Sequence, residues 1–433
     1  MKDAAGADSS VVLQESVGQY GRFLEKRSGI FVSLREYELP WESPIHVCTA
    51  ELKPGLCLSK PSGRVGISGT VCGAGATALQ ARVSCLGEAL ERHSGVFRGD
   101  EPRREARYSE LAGEAVHPDS LTLFSQAQYN DRDEWNRREG RHNWVPQRFD
   151  TERSIDWSPA WSLTHKITKY LPTAYCYFGY PFDQEHDFCR PDSNGNAAGS
   201  SLDEAIVHGF LELVERECAS VWWYNRVRRP RVDIDSFGSP DLVAICNLHH
   251  LIGRSVDVLD ITADRNIPTF VAVSRSEEPP REDYALGFGA HFDAKIAVTR
   301  ALTEMTQSLP MVLSRRNPVC FLRSENEHTD MSFLVPDERI VVTTCSDFPV
   351  VAREPQQDVL FCGELAKSWG LEMLVLDQTR KDVGMPVVKV VVPGMRNWWA
   401  RFAPGRLYTL PVQFGWLGEP NEESDLNPDH LVL

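Results

Sequence analysis

Two stretches of this chain carry carboxylates and an arginine in matching positions. Gly75–Arg92 reads GATALQARVSCLGEALER, and Gly199–Arg216 reads GSSLDEAIVHGFLELVER. Aligned, Gln80 pairs with Glu204, Ser84 with His208, Glu88 with Glu212, Glu91 with Glu215 and Arg92 with Arg216. A helix turns by about 100° per residue, so each set falls within about 80° of arc. Gln80, Ser84, Glu88 and Glu91 share one stripe, as do Glu204, His208, Glu212 and Glu215. The opposite faces are apolar, with Val83, Leu86 and Leu90 in the first helix and Ile206, Phe210, Leu213 and Val214 in the second. A third segment, Asp293–Gln307, repeats the spacing of Ala81, Ser84 and Glu88 as Ala297, Arg300 and Glu304.

Together the three segments offer Glu88, Glu91, Glu212, Glu215 and Glu304 as carboxylates and Arg92, Arg216 and Arg300 as guanidinium forks. Carboxylates gathered in one place repel unless a cation neutralises them. Oxygen donors suit Mg²⁺, which takes one or two carboxylates with phosphate oxygens, and arginine forks suit those phosphates. The residues therefore point to a polyphosphate site, most simply a nucleoside triphosphate with Mg²⁺. One such helix alone is read more simply as a solvated surface with Glu–Arg pairs. Recurrence in register, with an apolar opposite face, favours the site.

The elements that must position these helices follow from patterning. The first helix is expected over Thr77–Arg98. SNGNAAG, at Ser193–Gly199, predicts a tight turn just before the second, whose first N–H groups are candidates to meet a phosphate. Leu259–Thr262 (LDIT) and Leu376–Thr379 (LDQT) each precede a turn and an apolar run, IPTFVAV or MPVVKVVV, which predicts two similar hairpins with Asp and Thr as turn formers. Tyr170–Tyr180 reads as aromatic strand, Val11–Leu24 as a helix, and the polar Gly99–Glu105 and Asn130–His142 as solvated loop or short helix. The expected fold is an α/β (α+β) pseudo-symmetric body with mostly antiparallel sheets and motif helices around the site. An entry segment over 1–60 packs on a catalytic domain over 61–433.

Composition narrows the function. A net charge of −15 over 433 residues argues against nucleic-acid binding. No signal pattern or long apolar run is present, so a cytoplasmic protein away from the membrane is expected. The eleven cysteines are dispersed without CxxC, as in a reducing compartment, and Cys85 and Cys218 read as core residues rather than nucleophiles. Walker, GxGxxG, GxSxG and kinase motifs are missing. If ATP is used, its site is borne on helices.

This combination resembles the YcaO family, and within it the azoline-forming peptide cyclodehydratases of the thiazole/oxazole-modified microcin type. The carrying residues are Ser84, Glu88, Glu91 and Arg92; Glu204, His208, Glu212, Glu215 and Arg216 after SNGNAAG; and Arg300 and Glu304 after GFGAH. Trp222–Arg226 (WWYNR) and Arg401–Leu417 also look like this branch, and the resemblance covers about 60–428. It implies ATP and Mg²⁺ as cofactors. Ser84, Glu88, Glu91, Arg92, Asn194, Glu204, His208, Glu212, Glu215, Arg216, Arg300 and Glu304 would bind them, with Glu88, Glu91, Glu212, Glu215 and Glu304 as metal ligands. It implies a reaction in which Cys, Ser or Thr of a ribosomal precursor peptide attacks the preceding amide and ATP phosphorylates the amide oxygen. The implied partners are a leader-peptide-binding ThiF/E1-like protein and an FMN-dependent dehydrogenase; a homodimer is compatible. Thioamide or amidine formation, or a non-catalytic scaffold, are the alternatives. Three departures stand out. Ala74 replaces the lysine of GKG, Ala197 and His208 replace a serine and a glutamine, and the chain ends NPDHLVL where relatives carry PxPxP. The terminal carboxylate of Leu433 thus joins Arg300 and Glu304 as a candidate catalytic group.

Overall fold

The computed structural model describes residues 30–37, 42–52, 69–111, 113–139, 143–181, 186–264, 266–277, 284–313, 321–322 and 330–431. The expected helix at Val11–Leu24, the division at residue 60, and Leu433 lie outside them. In chain order the main elements begin with β1 (Phe31–Tyr37), β2 (His46–Leu52), β3 (Thr70–Gly75) and α1 (Ala78–Ser94). There follow β4 (Arg104–Ala106), β5 (Ile155–Ser162), β6 (Thr168–Pro172), β7 (Asn196–Ala198) and α2 (Leu202–Asn225). Next come α3 (Pro240–Leu251), β8 (Arg254–Asp260), β9 (Thr269–Ser276), β10 (Tyr284–Ala290), α4 (Ala294–Leu313) and β11 (Phe321–Leu322). The last are α5 (Pro355–Ser368), β12 (Leu374–Asp377), β13 (Val387–Val391), α6 (Arg406–Gln413) and β14 (His430–Leu431).

The chain divides into two compact units, and the boundary falls inside α2, between Phe210 and Leu211. The first unit takes Met1–Tyr37, Val47–Phe210 and Arg353–Gly394. It holds a three-stranded sheet in the order β1-β2-β3 and a six-stranded sheet, β4-β5-β12-β13-β7 with β6 on β5. The second unit takes Glu38–His46, Leu211–Ala352 and Met395–Leu433, and holds the antiparallel meander β8-β9-β10 and the pair β11-β14. The expectation of mixed helix and antiparallel sheet holds.

The same construction occurs once in each unit. β3 and β10 carry Gly-X-Gly and lead directly into α1 and α4. A Cβ on Gly73 would stand 2.1 Å from the Cys85 nitrogen and 2.4 Å from the Ala81 oxygen. On Gly287 it would stand 2.1 Å from the Met305 nitrogen and 2.3 Å from the Ala301 oxygen. Glycine is required because each strand lies directly on the backbone of the helix after it. Gly73→Ala is expected to lower stability by on the order of 3 kcal/mol, read from urea unfolding. Gly87→Ala, on α1 with open space around it, serves as the control and should be neutral or mildly stabilising.

Local chemistry explains where the motif helices begin and end. Thr77 and Gln80 form a reciprocal capping box at the start of α1. The helix stops at Ser94, short of the expected Arg98, where the Gly95 N–H closes on the Glu91 carbonyl at 3.0 Å. The buried face of α1 is Ala81, Cys85, Leu86, Ala89 and Leu90, and that of α2 includes Ile206, Phe210, Leu213 and Val214.

The two hairpins are built alike. The Thr262 N–H donates to Asp260 at 2.9 Å, and the Thr262 hydroxyl accepts from the Thr269 N–H at 3.0 Å. The Thr379 N–H donates to Asp377 at 2.8 Å, and its hydroxyl accepts from the Val387 N–H at 3.1 Å. These Asp/Thr pairs therefore form turns.

Other readings change. The stretch read as aromatic strand ends at Pro172 and becomes one helical turn, Thr173–Cys176. Glu101, placed in a solvated passage, is buried and accepts from the Arg98 and Gly99 N–H groups and from Arg380. Between the SNGN turn and α2 lies the short strand β7, which pairs with β13.

Candidate functional site

In the first unit, the Glu88 carboxylate accepts from the Cys72 N–H of β3 at 3.0 Å and from Arg92 at 3.3 Å. Ser84 is exposed on the same helix and Glu91 is half-buried. The leading residue of each stripe has a structural duty. Gln80 caps α1, and Glu204 caps α2, where its carboxylate accepts from the Ser200 N–H at 2.6 Å and its own N–H donates to the Ser201 hydroxyl. Burial raises the Glu204 pKa, but His208 and the Ser200 bonds outweigh it and hold it below the ordinary value. One early N–H of α2, that of Glu204, is thus engaged by the Ser201 side chain. His208 sits 4.0 Å from Glu204 and 3.4 Å from the Ala198 carbonyl. Asn194 is buried in a turn closed by the Asn196 N–H on the Ser193 carbonyl, with Gly195 at φ 72°.

The second unit gathers Glu212, Glu215, Arg216, Arg300 and Glu304. Its device repeats that of the first: Glu304 accepts from the Phe288 N–H of β10 at 2.6 Å, sixteen residues back, as Glu88 does from Cys72. Glu215 accepts from the Ala290 N–H of the same strand at 3.0 Å, and Arg300 donates to the Ala290 carbonyl at 3.4 Å. Arg216 pairs with Glu212 at 2.5 Å and stacks on the Trp398 ring at 4.1 Å. Burial, then the charge of Glu304, pushes the Glu215 carboxyl up to about 8, against the opposing pull of Arg300. Burial also raises Glu304 to about 7, although the Phe288 N–H and Arg216 favour its charge. Both side chains keep a partly exposed edge, so the desolvation comes from close protein atoms rather than complete enclosure. Two carboxylates held this way are short of positive charge.

That shortage is the test of fit for a magnesium nucleotide. Among the described residues no three His, Cys, Asp or Glu side chains are grouped to hold one metal ion. Mg²⁺ does not need such a group, because phosphate oxygens and water complete its octahedron. Hard carboxylate oxygens beside guanidinium groups are the donor chemistry it takes, and the residues fit.

Trp398 was not foreseen, because no motif spacing connects it to Arg216; only the aromatic doublet Trp398–Trp399 hinted at it. Cys85 and Cys218 are fully buried, and burial pushes the Cys218 thiol up to about 12, so neither is a nucleophile at neutral pH.

Antiparallel sheets and glycine strands laid on motif helices thus carry the carboxylates and arginines of a chain that has no Walker loop. The chain belongs to the YcaO family: the model described as YcaO cyclodehydratase, ATP- and Mg²⁺-binding, matches residues 72–396. Its cofactors are those of the family, ATP and Mg²⁺. A solved heterocyclase in complex with substrate and cofactor is 41% identical with a TM-score of 0.90, covering 97% of this chain and 57% of that one. The heterocyclase TruD is 48% identical with a TM-score of 0.74, covering 80% and 50%. This chain therefore spans about half the length of those two chains. An uncharacterised protein of Methanothermobacter thermautotrophicus is 28% identical over 354 residues, 78% of this chain and 84% of that protein. No helix among the described residues is long and apolar enough to cross a membrane.

Proposed function

We propose that this chain is the ATP-dependent subunit of a peptide cyclodehydratase, forming thiazoline or oxazoline rings at Cys, Ser or Thr of a ribosomally made precursor. The observation that carries the reading is the Glu215–Glu304 pair, each anchored by one β10 N–H and held above its ordinary pKa by burial and like charge. When bound, ATP with Mg²⁺ supplies the phosphoryl group that makes the amide oxygen of the substrate a leaving group. The chain's own residues hold and neutralise charge. Glu88, Glu91, Glu212, Glu215 and Glu304 are the metal ligands we assign, with Ser84, Arg92, Asn194, His208, Arg216 and Arg300 toward the nucleotide. Glu204 supports His208 from the helix start. The Trp398 face and Glu212 orient the Arg216 guanidinium, so its positive charge is presented in one direction. The strand N–H bonds to Glu88, Glu215 and Glu304 fix the carboxylates in advance, which lowers the reorganisation needed as charge develops.

The structural likeness to two heterocyclases supports this substrate class. We assign to the same reaction a leader-binding component of the ThiF/E1 kind, which would present the precursor peptide. An FMN-dependent dehydrogenase would consume the azoline product, and the setting would be cytoplasmic, in the making of a microcin- or bacteriocin-like peptide. The expected result of reconstitution with precursor, partner and Mg·ATP is loss of one water per ring by mass spectrometry, with ADP and phosphate formed. Exchange of amide oxygen for sulfur would give the thioamide reading instead, and ATP turnover without any change in peptide mass would remove the cyclodehydratase assignment.

A further inference from the structure

Lys389 lies within β13 with no exposed surface. Its ammonium donates to the Asp192 carbonyl at 2.8 Å, the Asn194 carbonyl at 3.1 Å and Asn196 Oδ1 at 3.1 Å. Asp192 Oδ1 is 3.4 Å away, and the Tyr175 ring lies 5.0 Å below. Three N–H donors thus meet acceptors from a single turn. Burying an ammonium is costly unless it is fully bonded, and on a strand reading Val-Val-Lys-Val-Val an aliphatic residue would pack at lower cost. No motif of the nucleotide reading accounts for this lysine.

The turn it grips touches both motif helices of the first unit. Because Lys389 holds Oδ1 of Asn196, the Nδ2 group must face the other way; flipping the amide would set donors against the ammonium. That Nδ2 is buried without a hydrogen-bond acceptor, and it stands 3.2 Å from where a Cβ of Gly95 would be, at the end of α1. On the other side the Gly195 carbonyl accepts from the Val390 N–H at 2.8 Å. The same carbonyl lies 2.7 Å from where a Cβ of Gly209 would be, on α2 directly after His208. An unsatisfied buried donor and a glycine forced by close approach are both tolerated here to keep one arrangement.

We propose that Lys389 is a positioning residue for the nucleotide reaction. Through the Asp192–Asn196 turn, its buried ammonium sets the register of α1 and α2 against β13, and with it the placement of Arg92, Asn194 and His208. The inference rests on the assignment of those residues to ATP.

The test uses the full chain with precursor peptide, partner and Mg·ATP, reading KM for ATP, kcat, KM for the peptide, and circular dichroism. Lys389→Met keeps the length and removes the charge; Asn196→Ala removes one acceptor and the contact with Gly95. Gly209→Ala presses on the turn from α2 without touching the lysine. All three are expected to raise KM for ATP by about tenfold or more, with kcat and peptide KM changed far less. A folded Lys389→Met with the parental KM for ATP overturns the proposal. If that variant does not fold, unchanged KM for ATP in both Asn196→Ala and Gly209→Ala overturns it. Failure of the parent chain to bind Mg·ATP by calorimetry would instead defeat the nucleotide assignment itself, so the two failures are separable.

Discussion

Glu215→Gln is expected to lower kcat for Mg·ATP turnover by about 10³-fold while leaving the metal-free protein at least as stable as the parent at pH 8 and above. The two effects have one cause. In the parent, burial and the neighbouring Glu304 make the ionised form of Glu215 unfavourable, and its carboxyl titrates only at about 8. Glutamine keeps the shape and can still accept from the Ala290 N–H, but it removes the repelling charge. Stability is therefore kept or raised. The same change takes away half of the anionic pair that we assign to the cation. Steady-state ATPase assays and thermal melts at pH 8, with and without Mg²⁺, check both halves. Near-parental turnover would break the metal-site argument, and a strong loss of metal-free stability would show that the carboxylate is structural. A parallel Glu304→Gln variant should behave alike, since its carboxyl rises to about 7 for the same leading reason, burial.

The second large effect is on pH. A carboxyl with a folded pKa above its unfolded value binds more protons when folded. Its stabilising contribution is then complete at low pH and is lost as pH rises from the ordinary 4.5 toward about 7 for Glu304 and about 8 for Glu215. Mg·ATP reverses this loss by neutralising the carboxylates, and each proton it displaces makes the apparent affinity pH-dependent. Below about pH 7 the affinity should fall by about tenfold per pH unit for each proton displaced, and it should level off above pH 8. Calorimetry at pH 7 in buffers of different ionisation enthalpy should register proton release on binding. A flat affinity between pH 6 and 8, with no proton release, would show that these carboxyls do not take part.

Which faces of the helices carry the candidate residues was legible from the chain alone because that information is local. A stripe of Ser84, Glu88, Glu91 and Arg92 follows from helical pitch, and so do the buried faces opposite. The Asp/Thr hairpins could be read for the same reason: Asp260 with Thr262, and Asp377 with Thr379, bond within a few residues of themselves. Capping was not legible in the same way: Gln80 and the ligand candidate Glu204 both form bonds at helix starts, and pitch alone does not separate a cap from a ligand.

What the residues by themselves determined is therefore which groups are present and which helical face each occupies, since both depend on side-chain type and a fixed rotation per residue. Their electrostatic state was decided only by the tertiary structure. Glu88 and Glu304 find strand N–H groups sixteen residues back. Arg216 finds the Trp398 ring, Glu101 finds Arg380, and Lys389 finds a turn nearly two hundred residues earlier in the chain. Each of these contacts is set by how sheets and helices pack, and desolvation and charge coupling fall off over a few ångströms of space rather than over any number of residues.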